Sequence, residues 1–233
     1  MLILSAMRTG STLLKALLGS APDVSHLPEF DFQRLDRDSV RDQVRDLSVH
    51  PIVVLKRPAW LHEIRTYPRI PKLGPHRKIV LVRDAYETVT SIRRMVFRRW
   101  HSLFQGALDS ILAEHYWCGV YRRLAAMHRR DPKRSVLVRY EKLLANPEDE
   151  TRRLFDFVGS AQRQGVRTYD VPVDGAWQWG RDDGSERIRT REVLPPRRTR
   201  YDNERLLRTI RKSRRIARLR TQFGYGPLPE GAV

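Results

Sequence analysis

Apolar residues along this chain fall alternately into short unbroken runs and helical stripes. Met1-Leu-Ile-Leu-Ser-Ala6 is a run of the kind that makes a strand buried on both faces. A small-residue stretch, Arg8 to Thr12, follows it. Leu13, Leu14, Leu17 and Leu18 then repeat at helical spacing until Gly19, Ser20 and Pro22 stop the pattern. The same grammar recurs. Pro51 to Leu55 reads as a second buried strand and Lys78 to Val82 as a third, which Arg83-Asp84 joins to a helix ending near Val96. Ser135 to Val138 is a fourth strand. A long helix is expected from Ala107 to Arg129, apolar on more than one face, as in a helix packed between other elements. Another begins with Asn146 as N-cap and Pro147 at its first position and runs to Gly159. Strands alternating with helices predict an α/β fold with a doubly wound parallel sheet, helices on both faces and ligands beyond the carboxyl ends of the strands.

The 233 residues contain no internal repeat, so one domain spanning 1–233 is expected, with a core over 1–159 and a remainder over 160–233. A composition of 40% hydrophobic and 31% charged residues suits a globular chain and excludes a disordered or fibrous one. Cys118 is the only cysteine, so no intramolecular disulfide forms, and neither a Cys cluster nor a HExxH pairing points to a metal. The opening apolar run is broken by Ser5 and ended by Arg8, far short of the ~20 residues that span a bilayer. It also lacks the pattern of a secretory signal, which makes the expected location cytoplasmic. Cations outnumber acids 45 to 27, for a net charge of +18, and only 7 of the cations are lysine. The arginine fork favours phosphate or sulfate, although a coding bias toward arginine gives the same count. Charge alone therefore says only that the chain attracts anions.

Three stretches narrow this. In Arg8-Thr9-Gly10-Ser11-Thr12 a glycine allows close backbone approach to an anion, and the helix that follows offers unpaired N–H groups at its positive end. An ordinary strand-to-helix turn has the same composition. The loop lacks the GK[ST] of nucleotide triphosphatases. Arg83 closes a predicted strand and Ser91 lies two turns into the next helix, where both can reach one phosphate, or where Arg83-Asp84 simply starts a helix. The third stretch is Arg139-Tyr140-Glu141 through Pro147, a strand end and a helix start.

Taken together these stretches resemble the sulfotransferases that use 3′-phosphoadenosine 5′-phosphosulfate (PAPS), in particular the branch with bacterial, protein-tyrosine and carbohydrate enzymes. The resemblance covers about residues 1 to 159, and Lys56-Arg57-Pro58 is similar to a further family motif. It implies a P-loop-like three-layer architecture, PAPS as donor with adenosine 3′,5′-bisphosphate (PAP) as product, and transfer to a small-molecule or carbohydrate hydroxyl. On this reading Arg8, Thr9, Gly10, Ser11 and Thr12 hold the 5′-phosphosulfate and Arg83 and Ser91 the 3′-phosphate. Tyr140 belongs to the donor site. Ser185, in a stretch similar to one that closes over the donor, is a further contact or else part of a polar surface loop.

Sulfuryl transfer is mostly positioning and charge stabilisation, so Arg8 and Lys56 are the candidates for the leaving oxygen, with Lys56 alternatively a strand-end lysine whose head reaches water. The small-molecule branch of the family has a catalytic histidine where this chain has Pro58, which cannot take a proton. The protein-tyrosine branch and many bacterial relatives place a glutamate shortly after the first helix, and the resemblance makes Glu29, in His26-Leu-Pro-Glu29, the expected base, with His26 and His62 as alternatives. Trp100, Phe104, Tyr116, Trp117, Trp177 and Trp179 either line an acceptor pocket or pack the core. The rival readings are a nucleic-acid or anionic-surface binding module, based on 11 cations within residues 197–220, and a P-loop-like small-molecule kinase. A Leu206, Ile210, Ala217 stripe makes that basic stretch a solvated helical face instead, and no nucleic-acid partner or membrane is expected. The acceptor and the oligomeric state stay open.

Overall fold

Strand β1 (Leu2–Ala6) is the apolar opening run, and every residue in it is buried. The computed structural model of the protein describes residues 1–25, 42, 44–46, 48–68, 70, 76–96, 105–170 and 186–228. Within them β1 lies between β4 (Leu55–Ala59) and β5 (Lys78–Val82), and β6 (Ser135–Arg139) pairs with β5 on the far side, giving the order β4-β1-β5-β6. All three pairings are parallel, with Ser5 opposite both Pro58 and Leu81. The chain leaves β1 toward one edge and returns past it to the other. The topological switch therefore falls between β1 and β5, where open α/β sheets hold their ligands.

Alternation along the strands sorts the core into two layers. Leu2, Leu4, Val80 and Val82 face one hydrophobic cluster. Ile3, Ile79, Leu81 and Val138 face the other. The second is closed by α1 (Ser11–Gly19), by Leu143 and Leu144 of α5 (Tyr140–Ala145), and by Leu154 and Phe155 of α6 (Pro147–Val158). The first is closed by α2 (Ala85–Val96) and by one continuous helix made of α3 (Gln105–Ser110), a π-helical turn (Ile111–Trp117) and α4 (Cys118–Arg130). The terminal pair α7 (Glu204–Lys212) and α8 (Arg214–Gln222) packs on that same face through Leu206, Leu207, Ile210, Ile216 and Leu219. No helix among the described residues is long and apolar enough to cross a membrane.

The second predicted strand is displaced. Ile52–Val53 forms β3, which pairs with β2 (Val24–Ser25) in a separate small sheet, and the main sheet is completed by Leu55–Ala59, a segment that carries Lys56, Arg57 and Pro58. Apolarity failed as the guide because both charged side chains have buried partners. Lys56 donates to Thr12 Oγ1 at 2.6 Å, and Arg57 pairs with Glu63 across the following turn. Pro58, which has no N–H to give, sits in the edge strand of the described sheet, where its loss costs least.

Candidate active site

Beyond Ala6 the chain turns sharply. Arg8 takes a left-handed conformation with φ 61° and Gly10 does so with φ 85°, the second costing little because glycine has no Cβ. Gly10 is also fixed by its neighbour, since a Cβ at this position would run into the Tyr140 ring. It is the N-cap of α1, which has neither a side-chain cap nor an acidic residue in its first turn, so the positive end of the helix faces the loop uncompensated. Thr9 turns inward, its hydroxyl donating to Ala6 O at 2.9 Å. Ser11 and Thr12 are buried, and the Lys56 ammonium reaches Thr12 from β4.

Arg83 ends β5 next to this loop. One of its amino groups donates to Arg8 O at 3.0 Å and the other to Glu87 Oε2 at 2.8 Å, and its guanidinium lies 4.9 Å from the centre of the Tyr140 ring. Arg8 in turn donates from Nε to Ser91 Oγ at 3.4 Å. Arg8, Arg83, Ser91 and Tyr140, drawn from four separate elements, therefore meet in one crevice at the switch point. A cavity of about 1010 Å³ opens from it, lined by Arg83, Thr90, Arg94 and Tyr140 on one side and by Arg197, Arg198 and Arg200 on the other.

A buried charge network meets the cavity at Glu141. Asp84 Oδ2 accepts from Arg220 at 2.9 Å, and Glu141 accepts from the Asp84 amide at 2.9 Å and the Tyr225 hydroxyl at 2.7 Å. Burial raises the Glu141 carboxyl above its ordinary range, more than these two hydrogen bonds lower it. The arginine-bearing segment 196–200 is moored by Tyr86, whose hydroxyl donates to Asp202 Oδ1 at 3.0 Å and accepts from the Asn203 amide at 2.9 Å.

Of the other candidates, Lys56 lies against α1 beside the loop, and His62 is exposed on the short turn that follows β4. Glu29, His26, Ser185, Trp100, Phe104, Trp177 and Trp179 lie outside the described residues. For Tyr116 and Trp117, of the two readings offered, core packing is the one the structure shows, since both are buried. The basic stretch from Arg197 divides. Arg205, Arg208 and Arg215 lie on exposed faces of α7 and α8, whereas Arg220 is buried on Asp84 and Arg197, Arg198 and Arg200 border the cavity. Sequence reading missed these last three and Arg94. The available signal was Asn203, a favoured N-cap whose side chain accepts from the Leu206 amide, which starts the helix at Glu204 and leaves this trio outside its stripe.

A switch-point crevice with cations at two strand ends and an uncapped helix is an arrangement suited to an anion. The family model described as "Sulfotransferase family" matches residues 48–163, about half of the chain, and the chain belongs to that family. Solved structures agree in fold. A sulfotransferase domain from the curacin biosynthetic pathway has 17% identity and a TM-score of 0.62, covering 98% of both chains. A sulfotransferase domain from the Synechococcus PCC 7002 olefin synthase has 19% identity and a TM-score of 0.59, covering 98% of this chain and 94% of that one. Mouse sulfotransferase SULT7A1 complexed with PAP has 12% identity and a TM-score of 0.56, covering 95% of this chain and 87% of that one. No curated protein sequence matches.

Proposed function

We propose that this sulfotransferase takes its sulfuryl group from PAPS and passes it to a hydroxyl acceptor by in-line displacement. The observation that carries this reading is the meeting of Arg8, Arg83 and Ser91 in one crevice beside an arginine-lined cavity. PAPS carries phosphate at one end and phosphosulfate at the other, and the residues present fit both. Arg83, Ser91, Arg197 and Arg198 would hold the 3′-phosphate, Tyr140 would offer its ring near the nucleoside, and the Arg8–Thr12 loop would hold the phosphosulfate. When bound, the donor supplies an activated sulfuryl group, and in the transfer its S–O bond to the 5′-phosphate breaks as a bond from the acceptor oxygen to sulfur forms.

The protein's part is to orient, to stabilise charge and to move one proton. Arg8, the start of α1 and Lys56 meet the negative charge that develops on the departing phosphate oxygen. Lys56 is well placed because its ammonium already touches Thr12 in the first turn of that helix. The acceptor hydroxyl loses its proton to Glu29, or failing that to His26 or His62. Single-domain organisation with core 1–159 is part of the same proposal, with a small-molecule or carbohydrate acceptor.

The test is ligand-induced thermal stabilisation followed by transfer of label from PAPS to a panel of hydroxyl compounds. PAP is expected to raise the melting temperature far more than ADP, and Glu29→Gln to lower turnover. The reverse order of the two nucleotides identifies a kinase. A response to neither removes the donor assignment, and full turnover in Glu29→Gln removes the assigned base.

A further inference from the structure

Three successive backbone amides at the end of β1 donate to tyrosine hydroxyls rather than to a neighbouring strand. Ser5 N gives to Tyr67 at 2.9 Å, Ala6 N to Tyr121 at 3.4 Å and Met7 N to Tyr116 at 2.6 Å. Each hydroxyl passes its own hydrogen to a carbonyl on a flanking strand. Tyr67 donates to Arg57 O at 2.8 Å, Tyr121 to Leu81 O at 3.0 Å and Tyr116 to Ala59 O at 2.6 Å. The three tyrosines are fully buried, and burial raises each phenol above its ordinary pKa, so all three remain proton donors. They bridge β1 to β4 and β5 at the strand ends that carry the crevice.

Two of these tyrosines come from the interrupted helix. Tyr116 and Trp117 are adjacent in that helix. Both belong to the π-helical turn Ile111–Trp117, a wider turn of the kind found at functional sites. From it Tyr116 reaches Met7, the residue before the left-handed Arg8, while Trp117 Nε1 donates to Arg83 O at 3.1 Å. One helical turn thereby holds the backbone at both donor arginines.

We infer that Tyr116 and Trp117 are positioning residues of the donor site, setting the distance between Arg8 and Arg83 through the backbone at Met7 and Arg83. The inference rests on the donor assignment above. It makes a graded statement, because Tyr116, Tyr121 and Tyr67 make the same pair of hydrogen bonds at one, two and three residues from Arg8.

The experiment compares Tyr116→Phe, Tyr121→Phe, Tyr67→Phe and Trp117→Phe for melting temperature, for PAP dissociation constant by calorimetry, and for the KM of donor and acceptor. Losing a hydrogen-bonding group of this kind at the loop is expected to weaken PAP binding about tenfold in Tyr116→Phe and about threefold in Trp117→Phe. The donor KM should rise in parallel and the acceptor KM should not move. Tyr67→Phe should lose comparable thermal stability and bind PAP within about twofold of the parent, with Tyr121→Phe between them. Equal effects on PAP in all three tyrosine variants, or loss of stability with PAP affinity unchanged, overturn the inference and leave a purely structural role. If Tyr116→Phe does not fold, Trp117→Phe against Tyr67→Phe decides alone. A parent protein that fails to bind PAP sinks the donor assignment itself, which is a different result.

Discussion

Two arginine–glutamate pairs flank the central strand β1, Arg57–Glu63 from within β4 on one side and Arg83–Glu87 from the end of β5 on the other, and they differ in how the acid is held. The side chains of the first pair are 5% and 11% exposed, and the guanidinium meets the carboxylate with both amino groups. Glu63 also accepts from the Trp60 amide at 2.8 Å, and Arg57 donates to Pro58 O at 2.6 Å. Both acid oxygens and both amino groups of Arg57 are thus engaged inside the fold. The second pair is 20% and 24% exposed and joined by one contact of 2.8 Å. Arg83 keeps its plane on Tyr140 and its other amino group on a carbonyl, so Glu87 is the one partner an incoming phosphate can displace without disturbing the backbone. Pairing with a glutamate beside β1 does not make an arginine a ligand contact. What separates the two is whether the acid beside it is locked.

The contrast breaks most visibly at Glu63. Removing one partner of a buried ion pair leaves the other charged and dry, a loss of about 3 to 5 kcal/mol. Glu63→Ala should therefore show its effect in denaturant unfolding, with the midpoint falling steeply. Arg83→Ala is its counterpart. Truncating a charge that meets a ligand charge costs about 2 to 5 kcal/mol of binding, so PAP affinity should drop at least thirtyfold while unfolding free energy stays within about 1 kcal/mol of the parent. If Arg83→Ala unfolds the protein as Glu63→Ala does, the two pairs are alike and the distinction is wrong.

Acid should separate them by a smaller amount. Burial pushes the Glu63 carboxyl up, but hydrogen bonds from Arg57 and the Trp60 amide, with the charge of Arg57, outweigh this and hold it below the ordinary carboxylate range. A depressed pKa in the folded state contributes stability that is complete above the unfolded value, near 4.3, and is lost as pH falls through the folded value. Unfolding free energy measured from pH 6 downward should decline below about pH 4.5, and Glu63→Gln should flatten that part of the decline. A Gln variant with the parent's acid limb would mean that other carboxylates govern it.

The legible part of this molecule is the part where chemistry and burial agree. β1 and β5 are buried almost throughout and β6 carries Val136-Leu137-Val138, so their apolar runs stand out, and the loops that follow them sit where strand-end reasoning puts ligands. β4 was misplaced because its two charged side chains have partners inside the fold, Lys56 hydrogen-bonding Thr12 and Arg57 pairing with Glu63. No local pattern announces the first partner, 44 residues away. Tyr116 and Trp117 were legible as buried aromatics but not as polar contacts, since their hydrogen bonds go to backbone more than thirty residues distant in sequence. Arg197, Arg198 and Arg200 were hidden by the run of cations after them, and the N-cap at Asn203 is what separates them from the helix face.

Glu87 gives the smallest effect and the sharpest distinction. If it is a placeholder for a phosphate, Glu87→Gln removes a negative charge that competes for Arg83 and repels the ligand. An exposed pair of this kind is worth about 1 kcal/mol or less, so PAP should bind about threefold more tightly, and the difference should shrink as salt rises. If Glu87 instead aims Arg83 as Glu63 aims Arg57, the same substitution frees the guanidinium to wander, and PAP should bind more weakly at every salt concentration. The amide retains the length and an acceptor oxygen of the carboxylate, so the two outcomes differ in sign rather than in size. Calorimetric titration at two ionic strengths reads that sign directly. A gain that fades with salt places Arg83 among groups held in readiness for an anion, and a loss at both salt levels makes the two pairs variants of one structural device.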